Sequence, residues 1–136
     1  MYRIVDAVAD SINPAIAIVA IVAAVLEFRR NGVRKGLSFS AATMLGIAGI
    51  YVVAALDRAY GLWARYGGDY SLHTAFATTL VTSLFLWRPR WRMALVALWI
   101  AYMVLIPVMG YHSVVDVAIA VGVAVGVTVP WHVKEV

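Results

Sequence analysis

The chain of 136 residues contains no cysteine and carries little charge. The lack of cysteine excludes disulfides and thiolate metal sites, so cysteine usage says nothing about the redox compartment. Only 13% of the residues are charged and 64% are hydrophobic, whereas a soluble domain averages about 25% charged and roughly 45–50% apolar residues. This composition predicts a membrane protein. The net charge is +4, but the basic residues lie in short loops between apolar runs, so no nucleic-acid partner is expected.

Five apolar runs come close to the length of about 20 residues that a helix needs to cross a bilayer core. The sequence therefore predicts an all-α fold, in which residues 1–136 form a single integral membrane bundle of about five transmembrane helices. Residues 1–10 contain Arg3, Asp6 and Asp10 and precede the first run. We expect them to form a short interfacial helix rather than a cleavable signal peptide. The predicted spans are residues 11–27, 37–56, 70–87, 93–109 and 111–131.

Basic residues are divided unequally between the two sets of loops that these spans create. Eight fall on one side and three on the other. Because cytoplasmic loops carry the excess of Lys and Arg, this asymmetry predicts a multi-pass protein of the cell membrane with its N-terminus outside and its C-terminus in the cytoplasm. The eight are Arg29, Arg30, Arg34, Lys35, Arg88, Arg90, Arg92 and Lys134, and the three are Arg3, Arg58 and Arg65.

Two short polar clusters each open an apolar run. His73 lies at the start of the third run, and His112 and Asp116 lie at the start of the fifth. Two crossings separate them, so both clusters are expected on the extracytoplasmic side. Residues four apart share one face of a helix, so the Asp116 carboxylate is expected to bind one ring nitrogen of His112 and leave the other free to react. The pattern predicts a nucleophile or base at His112 and a proton donor at His73.

Three further residues have the chemistry to hold a phosphate beside these imidazoles. Ser71 stands at the predicted N-terminus of the third span, where free backbone N–H groups and the helix dipole favour an anion. Arg58 and Arg65 in the preceding loop could neutralise phosphate oxygens. A loop arginine can equally be solvated or contact lipid headgroups.

Two other interpretations of the polar residues remain open. Asp69 and His73 are four apart, as are His112 and Asp116, so two helices could present a His and a carboxylate each. Such nitrogen and oxygen ligands suit zinc or manganese in a membrane transporter or hydrolase. Alternatively, the His112 and Asp116 pair merely fastens helices together in a non-catalytic membrane module.

The same segments resemble the type-2 phosphatidic acid phosphatase superfamily, which includes lipid phosphatases and sphingomyelin-synthase-like phosphotransferases. The central motif of that superfamily, Pro-Ser-Gly-His at the start of a helix, is similar to Tyr70-Ser71-Leu72-His73. Its last motif ends in His, three residues and Asp, as do residues 112–116, and Gly68-Asp69 resembles a Gly-Asp pair of the sphingomyelin-synthase branch. The resemblance covers residues 58–133. Ile106 stands where the phosphatases usually carry an Arg six residues before the last His.

The resemblance implies a membrane lipid phosphatase or phosphotransferase that acts through a phosphohistidine intermediate. By motif position, His112 would be the nucleophile, Asp116 its orienting carboxylate and His73 the general acid, while Ser71 would hold phosphate oxygens. The expected partners are the bilayer and a lipid phosphate substrate, and no cofactor is implied. The identity of the lipid and the oligomeric state, a homo-oligomer included, stay open.

Overall fold

The chain is an all-helical bundle, described by a computed structural model for the backbone of residues 2–133 and for the side chains of residues 7, 8 and 10–133. The predicted fold class is confirmed. Four helices are long and apolar enough to cross a membrane, and the third is shorter, at 16 residues. The helices are α1 (Tyr2–Asn31), α2 (Val33–Tyr60), α3 (Leu72–Trp87), α4 (Arg92–Val108) and α5 (Val114–Val133), with short 3-10 turns at Ala64–Tyr66 and Pro89–Trp91.

The first helix differs from the predicted arrangement. No break separates the expected interfacial helix of residues 1–10 from the first span, because α1 is continuous from Tyr2 to Asn31. Pro14 lies inside this helix, although a proline lacks the N–H that would bond to the carbonyl four residues earlier. This continuous helix places Asp10 and Asn13 at the wall of a cavity.

Helix α3 is the centre of the bundle and packs against each of the other four helices. Beside apolar residues such as Leu80 and Leu84, its buried face carries small polar residues, namely Thr74, Thr78, Thr79 and Ser83. Some of their hydroxyls form hydrogen bonds to neighbouring helices. Thr78, for example, accepts one from the indole N–H of Trp99 on α4 at 3.0 Å. In an apolar environment such bonds and the small side chains allow helices to approach closely.

The contact between α2 and α5 depends on glycine. A Cβ placed on Gly46 would lie 2.9 Å from Thr128 Oγ1, and one on Gly49 would lie 3.0 Å from Val127 Cβ. By contrast, a Cβ on Gly122 or Gly126 of α5 would meet nothing within 4 Å among the described residues. The close packing of α5 therefore uses the glycines of its partner helix and not its own.

Polar residues gather at the two ends of the bundle. The end of α1, the start of α2 and the turn between α3 and α4 share one end, which brings the predicted cytoplasmic residues Arg34, Lys35 and Arg88 together around one cavity. The starts of α3 and α5 share the other end. Lys134, the last member of the basic set, lies outside the described residues. The cytoplasmic location of the end with Arg34, Lys35 and Arg88 remains a prediction.

Candidate functional site

One cavity brings the two predicted imidazoles together. It has a volume of about 670 Å³, and both His73 and His112 contribute to its wall. Its lining comes from α1, α2, α3, α4 and the segment before α5, so it forms only when the bundle is assembled. The lining residues are Asp10, Asn13, Pro14, Ala17, Tyr51, Ser71, Leu72, His73, Phe76, Tyr102, Ile106, Tyr111 and His112.

The start of α3 holds His73 at the cavity. Ser71 is the N-cap of this helix, and its buried hydroxyl accepts a bond from Thr74 N at 3.4 Å and donates to Thr74 Oγ1 at 2.7 Å. This bonding satisfies one backbone N–H of the first turn that has no acceptor within the helix. The His73 side chain is exposed, and its carbonyl accepts a bond from Asn13 Nδ2 of α1 at 3.4 Å. Ser71 thus reaches the cavity wall with its hydroxyl proton already directed at Thr74.

His112 does not lie on a helix, so the expected placement of His112 and Asp116 on one helical face is wrong. Helix α5 begins at Val114, and Gly110, with φ at +76°, turns the chain before it. The physical reason is a reciprocal cap formed by Ser113 and Asp116. The Ser113 hydroxyl accepts from Asp116 N at 3.1 Å, while Asp116 Oδ2 accepts from Ser113 N at 2.9 Å and from Ser113 Oγ at 2.7 Å. This capping arrangement starts the helix after His112.

The Asp116 carboxylate fastens two loops to each other. Its second oxygen, Oδ1, accepts from Asp69 N at 2.8 Å, so the loop before α3 and the loop before α5 are held by one side chain. Gly68 permits the approach, because a Cβ there would lie 3.1 Å from Asp116 Oδ1. Asp116 is buried, with 6% of its surface exposed. A buried carboxylate with three donors is well satisfied.

The carboxylate that faces His112 belongs to Asp69. Its Oδ2 lies 3.8 Å from His112 Nδ1, and the side chain of Asp69 is 77% exposed against 20% for His112. Solvent screens such a pair, so the attraction is modest. Asp116 therefore supports His112 through the backbone of Ser113, whereas Asp69 is the acid close to the ring.

The two predicted phosphate-binding arginines do not line this cavity. Arg58 is exposed in the last turn of α2, and Arg65 lines a separate hollow beside Trp63 and Val115. The cavity wall has no Lys or Arg among the described residues, and its charged member is Asp10. The phosphate-binding roles of Arg58, Arg65 and Ser71 remain predictions.

The predicted metal site at Asp69, His73, His112 and Asp116 is not assembled among the described side chains. Among the described side chains, those of residues 7, 8 and 10–133, no group of three or more His, Cys, Asp or Glu is placed to hold a metal ion. Asp116 is occupied by Ser113 and Asp69, and the carboxylate that forms an ion pair with His112 is that of Asp69.

Sequence reasoning missed the part of the wall that comes from α1 and α4. Asp10 and Asn13 are three residues apart, and Tyr102 is buried beside them with 4% of its surface exposed. The spacing of Asp10 and Asn13 at the edge of an apolar run was the available signal, because polar residues at such an edge are costly unless they have a partner.

Tyr70, which precedes the cap of α3, is buried against Trp63 with ring centroids 5.7 Å apart. Burial, together with the nearby Asp57 carboxylate, raises the pKa of the Tyr70 hydroxyl from 10.0 to about 12. Tyr70 therefore stays neutral at physiological pH and supports the loop as a packing residue.

Comparisons of the chain with known protein families, with curated proteins and with solved structures found no match.

Proposed function

We propose that the chain is a membrane enzyme that cleaves or transfers the phosphate of a lipid in the cavity shared by His73 and His112. The observation that carries the proposal is that two imidazoles from separate segments line one cavity next to the N-terminus of α3. The nucleophile must reach the phosphorus and the acid must reach the departing oxygen bound to it, and a cavity lined by both imidazoles supports such a division of roles.

The proposed reaction has two steps. His112 attacks phosphorus through Nε2, since Nδ1 faces Asp69, and the bond between phosphorus and the lipid oxygen breaks. The His73 imidazolium donates its proton to the departing oxygen. Water or an alcohol then attacks the phosphohistidine, gives its proton to His73 and breaks the phosphorus–nitrogen bond. Water gives hydrolysis and a lipid alcohol gives transfer.

The lining of the cavity favours a singly charged phosphodiester over a doubly charged phosphomonoester. Among the described residues, Asp10 is the only Asp, Glu, Lys or Arg in its wall, and Ile106 occupies the position where the phosphatases that the chain resembles carry an Arg. A second negative charge on the substrate would lack a cation to offset it. The apolar residues Ala17 and Phe76 on the same wall suit a lipid chain.

The test is turnover of a panel of phospholipids and lipid phosphates by the purified chain in lipid nanodiscs. His112→Ala and His73→Ala are each expected to lower turnover by at least about 100-fold, the scale of general acid–base and nucleophilic contributions. Arg90→Gln, an exposed change at the opposite end, is the control and should keep full activity. Full activity of either histidine variant, with folding intact, would exclude this mechanism.

A non-catalytic membrane module is the second candidate, and the bonding of Asp116 favours it. The carboxylate is used to join Ser113 and Asp69, which is a structural task. Vanadate, a mimic of the phosphoryl transition state, separates the two. Protection of the parent chain against heat that is lost in His112→Ala supports the enzyme, and equal melting temperatures with and without vanadate support the module.

A further inference from the structure

A second polar cluster lies at the end of the bundle opposite the histidines. Glu27 is buried, with 2% of its surface exposed. Its Oε1 lies 2.5 Å from Arg88 Nη2, and its Oε2 accepts from Asn31 Nδ2 at 2.6 Å. Both carboxylate oxygens are thus engaged, and Glu27 holds the Arg88 guanidinium in a fixed place rather than standing free as an acid.

The cluster borders a cavity of about 500 Å³ whose charged wall residues are mainly cationic. The Arg88 guanidinium is partly stacked on Trp91, 5.8 Å from the ring centroid. Its Nε is buried and has no hydrogen-bond partner among the described residues, which leaves a donor unsatisfied. The wall consists of Glu27, Asn31, Arg34, Lys35, Ser38, Trp87 and Arg88.

The start of α2 adds to the same positive field. Its N-cap, Gly32, provides no side-chain cap, so the first backbone N–H groups of the helix have no side-chain acceptor there. Arg34 and Lys35 lie in this first turn, where the helix dipole disfavours cations. A bound anion would offset both the missing side-chain cap and the unfavourable position of the two cations, because it would accept hydrogen bonds from the N–H groups and neutralise the Arg34 and Lys35 side chains.

We infer that this cavity binds a phosphate group, and in the membrane that of an anionic phospholipid headgroup. Arg34 and Lys35 of α2 line the cavity together with Arg88, the C-cap of α3. The one carboxylate of the wall, Glu27, is already paired with Arg88, so positive charge remains for a ligand. Basic pockets between helices at one membrane face are suited to anionic headgroups. Guanidinium groups match phosphate oxygens in geometry.

This site is separate from the proposed catalytic cavity and does not rest on the proposed function. The two lie at opposite ends of the 16-residue helix α3, roughly 24 Å apart at 1.5 Å per residue. The occupant is therefore a structural or regulatory lipid and not the substrate at the histidines.

The experiment measures binding of short-chain phosphatidylglycerol, phosphatidylcholine and inorganic phosphate to the purified full chain in detergent, by thermal shift and by native mass spectrometry. We expect phosphatidylglycerol to raise the melting temperature and zwitterionic phosphatidylcholine to have little effect. A comparable shift with inorganic phosphate would show that the phosphate group alone suffices, and a shift with the lipid only would show that the acyl chains are needed.

Matched double variants localise the binding. Arg34→Gln/Lys35→Gln removes two cations from the cavity wall and should weaken phosphatidylglycerol binding at least fivefold. Arg29→Gln/Arg30→Gln removes the same charge from exposed positions in the last turn of α1 that do not line the cavity, and should leave binding unchanged. Arg88→Lys keeps a cation beside Glu27 but lacks the Nε donor, and should weaken binding while the chain still folds.

Three results would overturn the inference. Equal weakening by the two double variants would mean that general surface charge attracts the lipid. Equal shifts with phosphatidylcholine and phosphatidylglycerol would mean that the negative charge is not recognised. The absence of any shift with all three probes would mean that the cavity takes no phosphate group.

Discussion

Asp116 is the residue on which the geometry of the candidate site depends most. Its carboxylate accepts three hydrogen bonds from Ser113 and Asp69, and it is buried. Asp116→Asn would replace one acceptor oxygen by a donor facing other donors, so the free energy of unfolding should fall by about 1–3 kcal/mol. Thermal unfolding in detergent checks this.

Asp69→Asn is the matched control for that experiment. The Asp69 side chain is 77% exposed, and the bond to Asp116 uses its backbone N–H, which the substitution keeps. Its melting temperature should stay near that of the parent chain. If Asp116→Asn and Asp69→Asn unfolded at the same temperature, the fastening role of Asp116 would be wrong.

The site could be predicted from the sequence in its residue types but not in its contacts. Polar residues at the edge of apolar runs indicated His73, His112 and Asp116, and the cavity contains both histidines. The spacing of four between His112 and Asp116 was interpreted as a helical pair. The serine three residues before Asp116 forms a capping box instead, and that local bonding starts α5 one residue after Ser113.

Tyr70 makes stability sensitive to alkaline pH. Its pKa is about 12 in the folded chain, above the ordinary value of 10.0, because burial and Asp57 disfavour the phenolate. The unfolded chain loses this proton first, so the contribution of Tyr70 to stability is complete below about pH 10 and is lost as the pH rises toward 12. Tyr70→Phe should therefore show a smaller fall in melting temperature between pH 9 and 11.5 than the parent, on the order of a few degrees. Identical pH profiles of the two proteins would contradict the assignment.

Helix contacts are decided by where the bundle places each glycine. Gly46→Ala puts a Cβ 2.9 Å from Thr128 Oγ1 of α5 and 3.1 Å from Thr79 Cγ2 of α3, so these neighbours must shift to make room for it. We expect a loss of roughly 1–3 kcal/mol, the usual cost of overpacking. Gly122→Ala makes the same change where nothing lies within 4 Å, and should be neutral or stabilising. Thermal unfolding of the two variants compares them, and a Gly122→Ala protein that is less stable than Gly46→Ala would refute this packing.

The helices themselves could be predicted from the sequence better than their ends. Long apolar runs indicated the helical bundle, because a chain that crosses a bilayer can adopt few structures other than a helix. The boundary expected near residue 10 is absent, since nothing in the first turns of α1 stops the helix and Pro14 is tolerated inside it. Runs of apolar residues carry little information on which face packs, so the wall of the cavity from α1 and α4 could not be foreseen.

At the scale of the whole molecule, the two ends of the bundle differ in charge and in the proposed task. One end has the histidine cavity with Asp10 and Asp69 close by, and the other has Arg34, Lys35 and Arg88 around a paired Glu27. The positive-inside rule predicts that the second end faces the cytoplasm. With that orientation, the proposed chemistry occurs at the outer leaflet and the proposed lipid site lies at the inner one.

The shared cavity is the central claim, and cross-linking measures it directly because the chain contains no cysteine. His73→Cys/His112→Cys and the control pair His73→Cys/Arg90→Cys are treated with a short bifunctional thiol reagent, and peptides are identified by mass spectrometry. We predict an intramolecular cross-link in the first pair and none in the second, whose positions lie at opposite ends of α3. A first pair that stays uncross-linked, or cross-links no better than the control, would contradict the account.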